Sequence, residues 1–361
     1  MLMRTTTSRA RRRSGGERPS RRRSRRPSWA RMSEDKLLEL RICDLGLRIE
    51  GTWLEGCVEE VQRELERHGL ALQPHVWLSQ EWFSPNGSPG VAIPFYLAHP
   101  RLRRLERRQM LEVEGGTHDE CVRILRHEFG HAVQHAFRLQ HRQRWREVFG
   151  SPARKYPEFY RPNPASRRYV QHLRLYYAQS HPVEDFAETF AVWLQGSAAW
   201  RRRYRGWAAL KKLEYVDELM KELRGVVPYL RTRRQVEPLR DLRMTLGEHY
   251  EEKRRQYTIH YPDVYDRDLR RIFSAEPKRH GAERASVFLR RNRREIRKMV
   301  ARWTGEYQFT LDQVLNDVIG RCRELKVRAV GPEQRLRTDF AVFLTVQTMH
   351  YLYNRRNWIA L

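Results

Sequence analysis

The chain has 361 residues, of which 40% are hydrophobic, so it is long enough for one large domain or two small ones with a packed core. No run of about 18 or more apolar residues occurs, which excludes a membrane-spanning helix. The formal net charge of +27 includes +11 from residues 1–31, which hold twelve arginines and one glutamate.

The N-terminal 31 residues have almost no apolar side chains, so we predict a disordered, arginine-rich tail. The tail lacks the apolar segment of a signal peptide. Three interpretations are open: an upstream mistranslated start, an arm that binds nucleic acid, or a transit-like segment. The first is favoured because "MSEDKLLELRI", from Met32, reads like an ordinary protein beginning.

The four cysteines, Cys43, Cys57, Cys121 and Cys322, are scattered without a C-x-x-C pair. This argues against a structural zinc ribbon and against a disulfide framework. We therefore expect a cytoplasmic protein.

After the tail, the pattern predicts a helix, a small sheet and a second helix. Thr52-x-x-Glu55 is a capping-box pattern that starts the first helix, and Gly69 suits its end. The apolar runs "LALQPHVWL" and "GVAIPFYLA" predict two strands, and "RLRRLERRQML" predicts the second helix.

A third helix is predicted after Gly115-Gly116, where Thr117-x-x-Glu120 is another capping box. Its apolar face comprises Val122, Leu125, Phe129, Ala132, Val133 and Ala136, at steps of three and four residues. His127 and His131 lie one turn apart on a different face of this helix, beside Glu128.

The sequence His127-Glu128-Phe129-Gly130-His131 has the spacing of a zinc hydrolase motif. Two histidines four apart on a helix can bind one metal ion, and such a site needs a third protein ligand and an open position for water. Glu128, next to the first histidine, is the candidate general base.

Several residues are candidates for the third ligand of the metal. The arrangement with a histidine six residues after the second one fails, because that position holds Phe137. A histidine farther along the chain is possible, with His135, His141 and His172 available. The remaining choice is an acidic residue from a later helix.

The segment "HPVEDFAETFAVWLQG" predicts that later helix, with Pro182 in its first turn and Gly196 at its end. Glu184 and Glu188 are four apart on one face of an otherwise apolar segment, where two carboxylates repel each other unless a positive charge is present. We predict that Glu184 binds the metal and that Glu188 holds the ring N–H of a ligand histidine, with Asp185 as the alternative ligand.

The two helices together carry a resemblance. "RHEFGHAVQHAF" followed by "YYAQSHPVEDFAETFAVWL" resembles the bacterial zinc-binding metallopeptidases of the gluzincin type, as do "PFYLAHPRL" and "KKLEYVDELM". The similarity runs from about residue 40 to 223. It implies a zincin-like fold with one zinc ion, His127, His131 and Glu184 as ligands, and Glu128 as catalytic residue. Members often begin with a cysteine-rich zinc ribbon, which this chain lacks.

Two further residues or segments are candidates for the cleft. Some gluzincins place a tyrosine before the second helix to bind the oxyanion, and Tyr177 is our candidate; packing of this tyrosine in the core is the alternative. The strand "GVAIPFYLA" is the candidate for the edge strand that lines the cleft.

The remaining chain reads as mostly helical. "SRRYVQHLRLYYAQ" has a helical pattern, residues from about 207 onward are almost entirely helical in pattern, and Thr310 is the expected cap of "LDQVLNDVIGRCREL". We therefore predict an α+β protein with three parts: the tail 1–31, a zincin-like domain 32–225 with a small sheet, and a helical region 226–361.

The predicted function is a cytoplasmic, zinc-dependent peptidase acting on peptide or protein substrates. The alternative is a nucleic-acid-associated protein that uses its basic tail and helices such as residues 290–302, with a protease or vestigial metal site.

Overall fold

The computed structural model describes residues 27–157, 160, 162–257, 266–275 and 281–354. The α-helices of this part of the chain are α1 (Glu34–Leu38), α2 (Trp53–Arg67), α3 (Pro100–Met110), α4 (His118–Ala136), α5 (Gln143–Phe149), α6 (Pro182–Leu194), α7 (Ser197–Arg203), α8 (Ala209–Glu222), α9 (Leu246–Gln256), α10 (Asp266–Ile272), α11 (Ala285–Thr304), α12 (Gln308–Glu324) and α13 (Glu333–Asn354). Strands β1 (His75–Ser79) and β2 (Gly90–Pro94) form a parallel pair with His75 beside Gly90.

The predicted fold class is confirmed: the protein combines many helices with a small two-stranded sheet, as expected for an α+β zincin-like domain with a helical extension. Among the helices that the structure describes, none is both long and apolar enough to cross a membrane.

The two motif helices are α4 and α6, and both begin where the sequence indicates. The Thr117 hydroxyl accepts a hydrogen bond from the backbone N–H of Glu120 at 3.3 Å, which caps α4. At the start of α6, Nδ1 of His181 accepts from the backbone N–H of Val183 at 3.2 Å, and Pro182 occupies the first turn.

The two helices approach each other closely at Gly130. A side-chain Cβ at this position would lie 3.0 Å from Cα of Ala187 and 3.2 Å from Cδ1 of Phe190. Only glycine fits without displacing the α6 backbone, so the small residue between the two motif histidines sets the distance from α4 to α6.

The described residues form two hydrophobic cores, and residues beyond 225 contribute to the first of them. Leu246 and Tyr250 of α9 pack in the first core together with α2, α4, α6 and α8. Buried Lys253 binds Glu81 at 3.0 Å and Glu106 at 3.2 Å, which ties α9 to the first core. The second core is formed by α10 to α13, and Phe309 of α12 packs against the first.

Residues before Met32 also contribute to the first core. Residues 1–26 of the expected tail lie outside the described residues. Trp29, which we assigned to the tail, is 5% exposed in the first core, and its indole N–H donates to the Leu45 carbonyl at 3.0 Å. The folded part therefore begins before Met32.

Three local predictions are wrong. Residues 166–173 form no helix, and Arg174–Gln179 is a 3₁₀ helix interrupted by two left-handed residues. The chain between α8 and α9 is largely irregular rather than helical. Thr310 lies inside α12, whose N-cap is Tyr307, and the Thr310 hydroxyl donates to the Tyr257 carbonyl at 3.4 Å.

Candidate metal centre

The structure brings three of the predicted site residues to one point. Nε2 of His127 lies 3.0 Å from Nε2 of His131 and 3.0 Å from Oε2 of Glu184, and Nε2 of His131 lies 3.1 Å from the same carboxylate oxygen. All three side chains are buried. Two imidazole nitrogens and one carboxylate oxygen form a donor set that suits zinc. Ligand atoms about 2.0–2.2 Å from one ion lie about 3.3–3.6 Å from each other in a tetrahedron, slightly farther apart than here.

Glu188 orients the first histidine. Its Oε1 lies 2.9 Å from Nδ1 of His127, and its Oε2 accepts from the backbone N–H of Leu173 at 2.9 Å. When Nδ1 of His127 donates to Glu188, Nε2 carries a lone pair that faces His131 and Glu184. Three electron-pair donors then face one another, an arrangement that a cation stabilises.

The charge of the site leads to the same inference. Burial alone would lower the pKa of His127, but Glu184 and Glu188 outweigh burial and raise that pKa to about 10. Burial would raise the pKa of Glu184, but His131 and His127 hold it well below its usual range. The cluster therefore requires positive charge, which protons supply in the free protein and which a metal cation would supply when bound.

Glu128 is buried beside these groups but has a free oxygen. Burial raises the pKa of the Glu128 carboxyl, and His127 and His131 oppose that rise. Among the described residues, no hydrogen-bond partner reaches its Oε2, and the side chain lines the adjoining cleft. A buried carboxylate with an unused acceptor in a cleft is able to take a proton from a bound molecule.

Two tyrosines lie beside the cluster. The ring of Tyr177, the predicted oxyanion donor, is centred 5.5 Å from the His127 ring and lines the cleft. The hydroxyl of Tyr156 donates to Oε1 of Glu184 at 2.8 Å, and its ring stacks on His181 at 3.8 Å. Tyr156 was not predicted, because the proline- and aromatic-rich loop that carries it has no periodicity to show which side chain faces the site.

The cluster opens into a cleft of about 1050 Å³. Its wall includes Trp82 and Phe83 but, among the residues found to line it, none from the predicted edge strand 90–98. Phe83 pairs with Ala92 of β2 in an antiparallel bridge. The segment around Phe83, rather than β2, is therefore the extended chain that borders the cleft. The prediction that "GVAIPFYLA" lines the cleft is therefore wrong, and β2 is buried behind that segment.

The alternative ligands lie elsewhere. His135 is buried without belonging to the cluster, and His141 is exposed. Nε2 of His172 lies 2.9 Å from the Arg123 carbonyl, in a separate cavity of about 480 Å³. Asp185 binds Lys212 Nζ at 2.5 Å instead of the histidines.

The segment before α6 has an unusual backbone. Leu175 and Tyr176 both have φ of 57°, in the left-handed region. Each such residue costs about 1–2 kcal/mol relative to the right-handed conformation, so the surrounding structure must hold this conformation. The strained pair directly precedes Tyr177.

Comparison with known proteins supports the resemblance drawn from the two helices. Residues 97–216 match a protein family described as "Putative zinc-binding metallo-peptidase". The match spans α3 to most of α8 and contains all the residues of the cluster. No curated protein and no solved structure matches the chain.

Proposed function

We propose that this protein is a zinc-dependent metallopeptidase that hydrolyses peptide bonds in the cleft beside α4 and α6. The observation that carries the proposal is the convergence of His127, His131 and Glu184 within hydrogen-bonding distance of one another, with Glu128 beside them. The family match supports the same class of metal and reaction.

We assign one zinc ion to His127, His131 and Glu184. Bound zinc would lower the pKa of a water molecule and polarise the substrate carbonyl. Glu188 keeps the His127 ring in the orientation that directs Nε2 towards the other two ligands.

Glu128 is the general base of the proposed reaction. It accepts a proton from the attacking water and returns a proton to the amine that leaves when the C–N bond breaks. Water thus adds its hydroxyl to the carbonyl carbon and its hydrogen to the amine nitrogen. Its position in the cleft beside the histidines and its free Oε2 suit both steps, because the group must gain the proton and then release it.

The tyrosines have two different roles. Tyr177 donates a hydrogen bond to the oxygen that gains negative charge during attack. Tyr156 holds Oε1 of Glu184, which leaves Oε2 directed at the two histidines.

The test is Glu128→Gln in the purified full-length protein, assayed with a mixture of fluorescence-quenched peptides. We expect zinc content to stay at the wild-type level and hydrolysis to fall about 10²-fold or more, because glutamine has the shape of glutamate but cannot take the proton. Asp119→Asn, which removes an exposed carboxylate from the same helix, is the matched control and should keep its activity. Hydrolysis at the original rate in Glu128→Gln would refute the assigned role.

The cytoplasmic location and the nucleic-acid role of the basic tail and helices stay predictions. The peptidase is the function that we prefer, because both the cluster at α4 and α6 and the family match support it.

A further inference from the structure

The C-terminal helical region, which lies outside the matched residues 97–216, reaches the candidate active site. The turn between α11 and α12 contributes Gly305 and Tyr307 to the wall of the cleft. Phe309, just after this turn, is 7% exposed and packs in the first core. The ring of Tyr307 is centred 5.0 Å from that of Tyr257, which also lines the cleft. The turn is thus held by Phe309 in the first core and by the contact between Tyr307 and Tyr257.

The turn contacts the strained stretch of residues 173–177, which we call the tyrosine segment. Hydrogen bonds from three neighbouring residues hold its backbone. The N–H of Leu173 donates to Glu188 at 2.9 Å, the hydroxyl of Tyr160 donates to the Leu175 carbonyl at 2.7 Å, and the backbone N–H and the hydroxyl of Ser180 donate to the Tyr177 carbonyl at 2.9 and 2.8 Å. None of these bonds involves the side chain of Leu175.

That side chain is packed against Gly305. A Cβ added to Gly305 would lie 3.0 Å from Cδ2 of Leu175 and 3.5 Å from its Cγ. Because Gly305 has no side chain, Leu175 lies against the turn. Leu175 has a left-handed backbone, and Tyr177, two residues later, lies beside His127.

We propose that the α11–α12 turn is a positioning element of the active site, which holds the tyrosine segment through the contact between Gly305 and Leu175. This inference rests on the proposed peptidase function, and it gives the C-terminal region a role: this region keeps the Tyr177 hydroxyl in place for the reaction. Metal binding does not depend on the turn, since the three ligands belong to α4 and α6.

The experiment substitutes Gly305→Ala in the full-length, zinc-loaded protein. The added methyl group pushes on Leu175, so amide hydrogen exchange in residues 173–177 should become about 10-fold faster. Peptide hydrolysis should lose about 10-fold in kcat with little change in KM, because misplacement of a catalytic group lowers the rate of the chemical step. Zinc content should stay at the wild-type level.

Gly206→Ala is the matched control. Gly206 has φ of +77° and Gly305 has φ of +76°, so alanine introduces the same backbone strain at both positions. Apart from its chain neighbours, no described residue lies within 4 Å of a Cβ added to Gly206. The control should therefore keep both its exchange rates in residues 173–177 and its kcat.

The double variant Gly305→Ala/Leu175→Ala should be no worse than the more damaging single variant, because both substitutions act on one contact. Unchanged exchange in residues 173–177 of Gly305→Ala, or an equal loss of kcat in Gly206→Ala, would overturn the inference. A wild-type protein that hydrolyses no peptide would instead refute the proposed function, while the exchange measurement would still test the contact.

Discussion

The three acidic residues of α6 should differ sharply in their effect on metal binding, although all are buried and lie within five positions of one another. Glu184 touches both histidines, Glu188 touches only the far side of one ring, and Asp185 touches Lys212. The perturbation is the amide replacement of each residue in turn, which removes charge while keeping shape.

Glu188→Gln can be given a magnitude from its contacts. The carboxylate accepts one hydrogen bond on each oxygen, from His127 Nδ1 and from the Leu173 N–H, both at 2.9 Å. A glutamine amide has one oxygen and one NH₂ group, so it can satisfy only one of the two donors. Loss of such an orienting bond lowers metal affinity about 10- to 100-fold, which corresponds to about 1.4–2.7 kcal/mol.

The replacements of Glu184 and Asp185 should change zinc affinity by more and by less than Glu188→Gln, respectively. Glu184→Gln removes the charged ligand itself and should lose most of the bound zinc. Asp185→Asn should bind zinc as the wild type does. The Asp185 side chain contacts Lys212 and neither histidine, so its replacement leaves all three ligand atoms in place.

The assay is competition for zinc with a chromophoric chelator at constant pH, with circular dichroism to verify that each variant is folded. Wild-type affinity in Glu184→Gln would show that this residue is no ligand. If Asp185→Asn loses as much zinc as Glu188→Gln, then removal of any buried carboxylate from α6 weakens zinc binding. That result would refute the specific role of the contact between Glu188 and His127.

The site could be predicted from the sequence because both of its helices have their own local signals. Helical periodicity, the Thr117 cap and the spacing of His127 and His131 determine one face of α4, while Pro182 and the spacing of Glu184 and Glu188 determine one face of α6. Each pattern spans less than six turns of helix. The structure then places the two faces against each other.

The rest of the cleft could not be predicted, because it depends on packing between distant segments. "SRRYVQHLRLYYAQ" has apolar residues at helical spacing, yet most of this segment is irregular. The side chains of Glu188 and Tyr160 hydrogen-bond its backbone at Leu173 and Leu175. Tertiary contacts there override local propensity. The same holds for Gly305, whose contact with Leu175 joins residues 130 positions apart in the sequence.

Two further predictions concern stability. A chain that begins at Pro27 should unfold at the same temperature as the full-length protein, whereas a chain that begins at Met32 should lose about 3 kcal/mol in the free energy of unfolding, because it lacks buried Trp29; equal stability of the two shortened chains would contradict the packing of that tryptophan. The second prediction concerns buried His249, whose pKa is lowered from 6.5 to about 3 by burial and by neighbouring Lys253. The folded protein keeps this histidine neutral while the unfolded chain takes up a proton, so its contribution to stability is complete above pH 6.5 and is lost as the pH falls towards 3. Between pH 7 and pH 4.5 the loss amounts to about 3 kcal/mol, at about 1.4 kcal/mol per pH unit below 6.5. His249→Phe retains a ring of similar size but cannot be protonated, so urea unfolding of this variant should lack that part of the acid destabilisation. An identical loss of stability in the wild type and in His249→Phe over this pH range would refute the reasoning.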